Sequence, residues 1–190
     1  MPLNKTFANQ LKTSYAINTT KRHKIIATSN ELLYNAKRVI FATHRGELIA
    51  AGASLAALDK DLLKLQKDFG YQRLNEEGSY SAAVEEYVEA KLFYAASIGQ
   101  TINRIPKIKI ANEQYLGGLS DLTGELVRQA VNSAADGRWE KVRECHDLIK
   151  SVLVALTEMD LTGYLRTKYD QAKSNLRKIE QMAYEIKLKK

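Results

Sequence analysis

The stretch Tyr80-Ser81-Ala82-Ala83-Val84-Glu85-Glu86-Tyr87-Val88-Glu89-Ala90-Lys91-Leu92-Phe93-Tyr94-Ala95 decides the fold reading. At about 100° per residue, Glu86 and Glu89 project from adjacent helical turns about 60° apart. Ala90 and Phe93 flank them, while Val84, Val88 and Ala95 occupy the far side. A helix that is apolar almost all round belongs in an interior. Two glutamates there are costly unless a basic side chain or a divalent cation compensates them. The spacing predicts this helix over Tyr80 to Ile105, with Pro106 as its stop, because the residue before a proline is driven out of the helical region.

Working outward, helical periodicity covers nearly the whole chain and no segment reads as a strand, so the expected class is all-α, one domain over residues 1–190. Pro2 and Pro106 are the only prolines. A first segment runs from Phe7 to Arg45, either unbroken or restarted by a capping box at Thr28 and Glu31. A second, Leu48 to Phe69, places Leu55, Leu58, Leu62 and Leu65 on one stripe. Gly70 to Ser79 reads as a loop. Further helices are expected over Asn112 to Asp136, with Gly137 as C-cap, and over Trp139 to Met159, with Gly163 opening a last one. There Leu165, Tyr169, Ala172, Leu176, Ile179, Ala183 and Ile186 repeat in alternating steps of four and three. That a/d pattern wants a partner helix, in the same chain or in a neighbouring subunit.

The Asn112–Asp136 helix supplies a complement to Glu86 and Glu89. Asp121, Glu125, Arg128 and Asn132 form one polar stripe, beside an apolar face of Tyr115, Leu119, Leu122 and Leu126. Gly117, Gly118 and Gly124 lack side chains and invite close approach. A short connection through Pro106 is expected to pair the two helices as an antiparallel hairpin and bring the four carboxylates together. Such an all-oxygen set suits hard cations, Mg²⁺ or Mn²⁺, which neutralise charge on a phosphodiester and activate water. The alternative is a set of salt-bridged or solvated residues, for example Glu125 with Arg128.

The charge balance is 29 basic against 22 acidic residues, net +7, which favours a polyanionic partner. Positive charge recurs at Lys21-Arg22-His23-Lys24, Lys37-Arg38, His44-Arg45, Lys107, Lys109, Arg177, Lys178, Lys187, Lys189 and Lys190. Phosphate contacts by such residues weaken with salt and carry little sequence information. Tyr80, Tyr87 and Tyr94, spaced by seven, read as core residues more readily than as base-stacking platforms. The lone Cys145 allows no intrachain disulfide and fits a reducing compartment. Met1 to Gln10 lacks the apolar run of a signal peptide and no stretch reads as a membrane span, so the expected location is the cytoplasm, with no membrane partner. His23, His44 and His146 make no Glu-x-x-His pairing, and no P-loop, H-E-x-x-H or paired C-x-x-C occurs.

Two strings carry a resemblance. Glu86-Tyr87-Val88-Glu89-Ala90, with Phe93 after it, resembles the signature of the translin family and its translin-associated factor X branch. Asp121-Leu122-Thr123-Gly124-Glu125-Leu126, followed by Arg128 and Asn132-Ser133, is similar to that branch's second acidic motif. Lys37-Arg38-x-Ile40-Phe41 with His44-Arg45, and Leu176-x-Lys178-Ile179-Glu180 with Tyr184-Glu185-Ile186, extend the likeness over Lys37 to Leu188. The resemblance implies a seven-helix bundle subunit of a hollow octamer, and a Mg²⁺-dependent endoribonuclease acting on single-stranded RNA. Its catalytic and metal-binding acids would be Glu86, Glu89, Asp121 and Glu125, with Lys37, Arg38, His44 and Arg45 on the RNA backbone. Translin proper binds RNA and DNA without the full acidic set, so the resemblance places this chain with the active branch, with single-stranded RNA as the expected ligand and single-stranded DNA as a further candidate. An archaeal-type member without a separate translin partner would act as a homo-oligomer. The rival readings are a non-catalytic RNA- or DNA-binding assembly and a helical scaffold for protein partners.

Overall fold

Helix α1 runs unbroken over Lys5–His44 in the computed structural model, which describes the backbone of residues 3–188 and side chains through Glu185. Asn4 caps it, its side-chain oxygen accepting from the Phe7 N–H at 3.1 Å. Thr28 and Glu31 start no new helix, because Ile25, Ser29, Leu32 and Ala36 carry one buried stripe straight through them. Helix α2 (Leu48–Phe69) buries the expected Leu55, Leu58, Leu62 and Leu65. Where a loop is expected there is a short helix, α3 (Tyr71–Asn75), anchored by the fully buried Leu74.

Helix α4 spans Gly78–Ser97, ending well short of Ile105. The stop is Gly99, at φ +73°, where the Gly99 and Gln100 N–H groups turn back to the carbonyls of Ala96 and Ala95 at 3.3 and 2.9 Å. A left-handed glycine ends a helix before a downstream proline can. Helix α5 (Asn112–Ala135) follows, then α6 (Trp139–Thr157) and α7 (Gly163–Leu188). Seven helices and no strand make up the described residues, so the all-α expectation is met.

The expected antiparallel hairpin of α4 and α5 is wrong. Ser81 meets Gln114, Val88 lies against Gly118, and Ser97 meets Gln129, so the two helices run parallel. The 98–111 segment carries the chain back to the start of α4, where Gln66 Nε2 donates both to the Lys109 carbonyl (2.6 Å) and to the Tyr80 hydroxyl (2.8 Å). With 20 residues, α4 is about 30 Å long, a distance that the segment covers at about 3.3 Å per residue. Short loops make antiparallel neighbours; stopping early at Gly99 gives this connection its length.

The same direction holds along the whole layer. Lys37 faces Glu86 and the His44 ring packs on Phe93, so α1 is parallel to α4. Lys168 reaches Asp121 and Asn175 reaches Thr123, so α7 is parallel to α5. Thus α1, α4, α5 and α7 lie side by side in one direction; α2 packs on α1 and α4, and α6 on α5 and α7. Tyr80, Val84, Tyr87, Val88 and Phe93 of α4 are wholly buried at the centre. Two of the spaced tyrosines are therefore core; the Tyr87 hydroxyl donates to Asp59 Oδ1 at 2.6 Å. The α7 stripe finds its partner within the chain, Ala172 and Ile179 being buried against α5 and α6. Ile186 and Lys187 of the expected stripe and basic end, with Lys189 and Lys190, lie outside the described side chains. Among the described residues no helix is long and apolar enough to cross a membrane.

Candidate functional site

Parallel packing of α4 on α5 sets their acidic motifs side by side, with α1 and α7 flanking. The approach is close because α5 presents glycine: a Cβ on Gly118 would stand 2.7 Å from the Glu85 carbonyl oxygen, and one on Gly117 would stand 2.5 Å from Glu85 Oε2. Gly124, by contrast, meets only Asn175 at ordinary contact distance.

Each acid has a different environment. Glu86 faces Lys37 Nζ at 3.8 Å; burial raises its carboxyl above the usual range, Lys37 opposes this, and Asp121 and Glu125 add to it. Asp121 accepts from Lys168 Nζ. Glu125 Oε2 meets His44 Nε2 and lies 3.9 Å from Arg128 Nη1, so the expected Glu125–Arg128 pair exists beside a closer partner. Glu89 is 9% exposed and makes no ion pair or hydrogen bond among the described residues. Burial, then the charges of Glu86, Asp121 and Glu125, push its carboxyl up to about 9, Lys168 alone opposing. Glu89 therefore keeps its proton at neutral pH.

These mutual effects place the four acids in one electrostatic neighbourhood. No three His, Cys, Asp or Glu side chains among the described residues stand close enough to share one metal ion as they lie. The donor set nevertheless fits a hard divalent cation, being all oxygen and holding one buried carboxyl neutral for want of compensating charge.

The four basic positions divide between two stripes of α1. Lys37 and His44, seven apart, look onto the acids. The His44 side chain is 6% exposed and orients Glu125 instead of offering a surface to phosphate. Arg38 and Arg45 line the groove between α1 and α2, where Arg38 sits over Tyr34 and Arg45 makes a two-pronged pair with Glu47, both bonds 2.7 Å.

Sequence reasoning missed Glu85, Tyr164 and Lys168. The Lys168 ammonium donates to Asp121, lies 3.6 Å from Glu85 Oε2, and stands 5.1 Å from the Tyr164 ring centre. The Tyr164 hydroxyl donates to Glu85 Oε2 at 2.8 Å. Burial pulls Lys168 down, but its hydrogen bonds to Asp121 and Tyr164 and the Asp121 charge hold it above the ordinary lysine range. One signal was legible: Lys168 sits three after Leu165 and four before Ala172, inside the apolar stripe, where a lysine demands a carboxylate partner.

A layered all-helical chain with two acidic motifs on parallel central helices is the class that this geometry defines. The Translin family model matches residues 20–190, and the chain belongs to that family. Among its relatives are Translin-associated protein X of Rattus norvegicus, 22% identical over 97% of this chain and 77% of that protein. The Pongo abelii protein of the same name is 23% identical over 89% and 73%. The fold is that of apo-NeC3PO (TM-score 0.81, 21% identity, 95% of this chain and 97% of that one). It is equally that of AfC3PO in its complex with duplex RNA (TM-score 0.85, 18% identity, 96% and 97%).

Proposed function

We propose that this chain is a Mg²⁺-dependent endoribonuclease that cleaves single-stranded RNA within a hollow homo-octamer. The carrying observation is Glu89, a nine-tenths buried and unpaired carboxyl facing three other acids. A buried acid left without a partner is the mark of a site that accepts compensating charge from a ligand. Membership of the translin family and a fold shared with a C3PO in complex with duplex RNA support a nucleic-acid ligand.

Glu86, Glu89, Asp121 and Glu125 would hold the cation by their oxygens. When bound, Mg²⁺ supplies an activated water and neutralises charge at the phosphodiester. The chain's own part is preparatory. His44 fixes the rotamer of Glu125 through Nε2, and Glu89 would give up its proton to solvent as a cation bound, exposing an anionic oxygen. Lys37, half exposed beside Glu86, offers an ammonium to an approaching phosphate.

The test is cleavage of an end-labelled single-stranded RNA with Mg²⁺ or with chelator, comparing wild type with Glu89→Gln and Asp121→Asn. Both variants should lose cleavage; if both cut as fast as wild type, the site is misassigned. A second reading, a non-catalytic RNA- or DNA-binding assembly, is favoured by the basic partners that Glu86, Asp121 and Glu125 already have. It requires RNA retention with no metal-dependent cutting.

A further inference from the structure

Lys168 touches two carboxylates of different kinds. Asp121 belongs to the four-acid set; Glu85, which also feels the Asp121 charge, lies outside the two acidic motifs, against Gly117 of α5. Glu85 is held there by a hydrogen bond, its Oε2 accepting from the Tyr164 hydroxyl at 2.8 Å. The Glu85 and Lys168 side chains are only 14% and 15% exposed, so neither charge is left to water. The ammonium thus has a second anionic seat, 3.6 Å away and already organised.

We propose that Lys168 is a resident counter-ion for Asp121 and that Glu85, braced by Tyr164 and admitted by Gly117, receives its ammonium when a divalent cation takes Asp121. The inference rests on the metal-site reading above and extends it to residues outside the four acids. Without a cation, Lys168 neutralises Asp121 and keeps the acids from repelling one another apart. With one, a like charge beside the cation is repulsive, and a small movement toward Glu85 and the Tyr164 hydroxyl relieves it. Lys168 is accordingly a positioning residue, and the Glu85–Tyr164 seat tunes the affinity of the acids for the cation.

Two variants pull in opposite directions. Glu85→Gln preserves shape and can still accept from Tyr164, but removes the receiving charge, so Lys168 stays on Asp121. Lys168→Met removes the competitor and frees Asp121. The experiment is calorimetric titration of Mg²⁺ into the full-length, metal-stripped assembly, with the Mg²⁺-induced rise in melting temperature as a second readout and the melting temperature without metal as a folding check. Glu85→Gln should weaken Mg²⁺ binding about tenfold and Lys168→Met should tighten it by a similar factor, as expected for one charge a few ångströms from the site. In the double variant the Glu85→Gln effect should vanish, since no ammonium remains to be received. Lys168→Arg, keeping the charge, should stay near wild type.

Equal Mg²⁺ affinity in wild type and all four variants, with Glu89→Gln still abolishing binding, overturns the counter-ion role and leaves the metal site standing. No Mg²⁺ binding by wild type, or binding indifferent to Asp121→Asn, overturns both. Weaker binding in Lys168→Met also overturns the proposal, because it makes Lys168 a support for the site and not a competitor. If Lys168→Met fails to fold, Glu85→Gln and Lys168→Arg decide alone: a loss confined to Glu85→Gln supports the exchange, and no loss refutes it.

Discussion

Replacing Glu89 by glutamine should change the pH dependence of stability more than the stability itself. In the metal-free protein the Glu89 carboxyl is raised from 4.5 to about 9 by burial and by three neighbouring acids. Between those values the folded state holds a proton that the unfolded state has lost. The contribution of Glu89 is therefore most favourable below its unfolded value and declines as pH rises through the window. At about 1.4 kcal/mol per pH unit, the loss relative to pH 4.5 is about 3 kcal/mol at pH 7, levelling off at about 6 kcal/mol above pH 9. Only 9% of the residue is exposed, so solvent screens little of this. Glutamine matches the neutral acid in shape and never ionises. The two proteins should be equally stable near pH 5, and Glu89→Gln should pull ahead progressively up to pH 9. The assay is urea denaturation in chelator from pH 5 to 9 at fixed protein concentration, read as the difference between the two proteins so that every other titration cancels. A difference that stays flat across the window would refute the burial argument.

Other outcomes follow from the same geometry. Mg²⁺ added at pH 7.5 in weak buffer should release about one proton per site from wild type and none from Glu89→Gln, measured by a pH indicator. Gly117→Ala displaces the Glu85 carboxyl from its hydrogen bond with Tyr164, and alanine's helix preference of about 1 kcal/mol offsets that loss, so stability should stay near wild type. Gly118→Ala meets the Glu85 backbone and Val88 Cβ, forces α4 from α5, and should cost about 1–2 kcal/mol net by thermal melting. Lys37→Ala should weaken RNA binding and lower the salt slope by about 1, whereas Arg38→Ala and Arg45→Ala, on the other stripe, should do neither in filter binding at several salt concentrations.

Periodicity alone places most of the helices, because each buries a regular stripe: the Leu55–Leu65 row of α2 and the Ala172–Ile179 row of α7 sit where spacing puts them. What periodicity cannot carry is direction in space. The reading of α4 and α5 as a hairpin rested on Pro106, yet Gly99 ends the helix first and the freed segment reverses the packing. At the site, the acids were legible as faces of single helices, and either packing direction could have brought them near one another. Lys168 and Tyr164 come from a helix more than forty positions downstream of Asp121, and no local pattern links them to it. The division of α1 was legible in principle, since positions seven apart share a face, but which stripe meets α4 depends on tertiary packing.

The one-way layer of α1, α4, α5 and α7 has a kinetic consequence. A helical chain usually folds fast because neighbouring helices zip together as local hairpins. Here two of the packings that flank the acids skip over an intervening element: α1 finds α4 past α2, and α5 finds α7 past α6. Closing those loops must precede the reward of burial, so refolding should be slower than for a bundle built of local hairpins alone. The acids meet only when that closure is complete, and partly folded chains carry Glu89 in water as an ordinary ionised side chain.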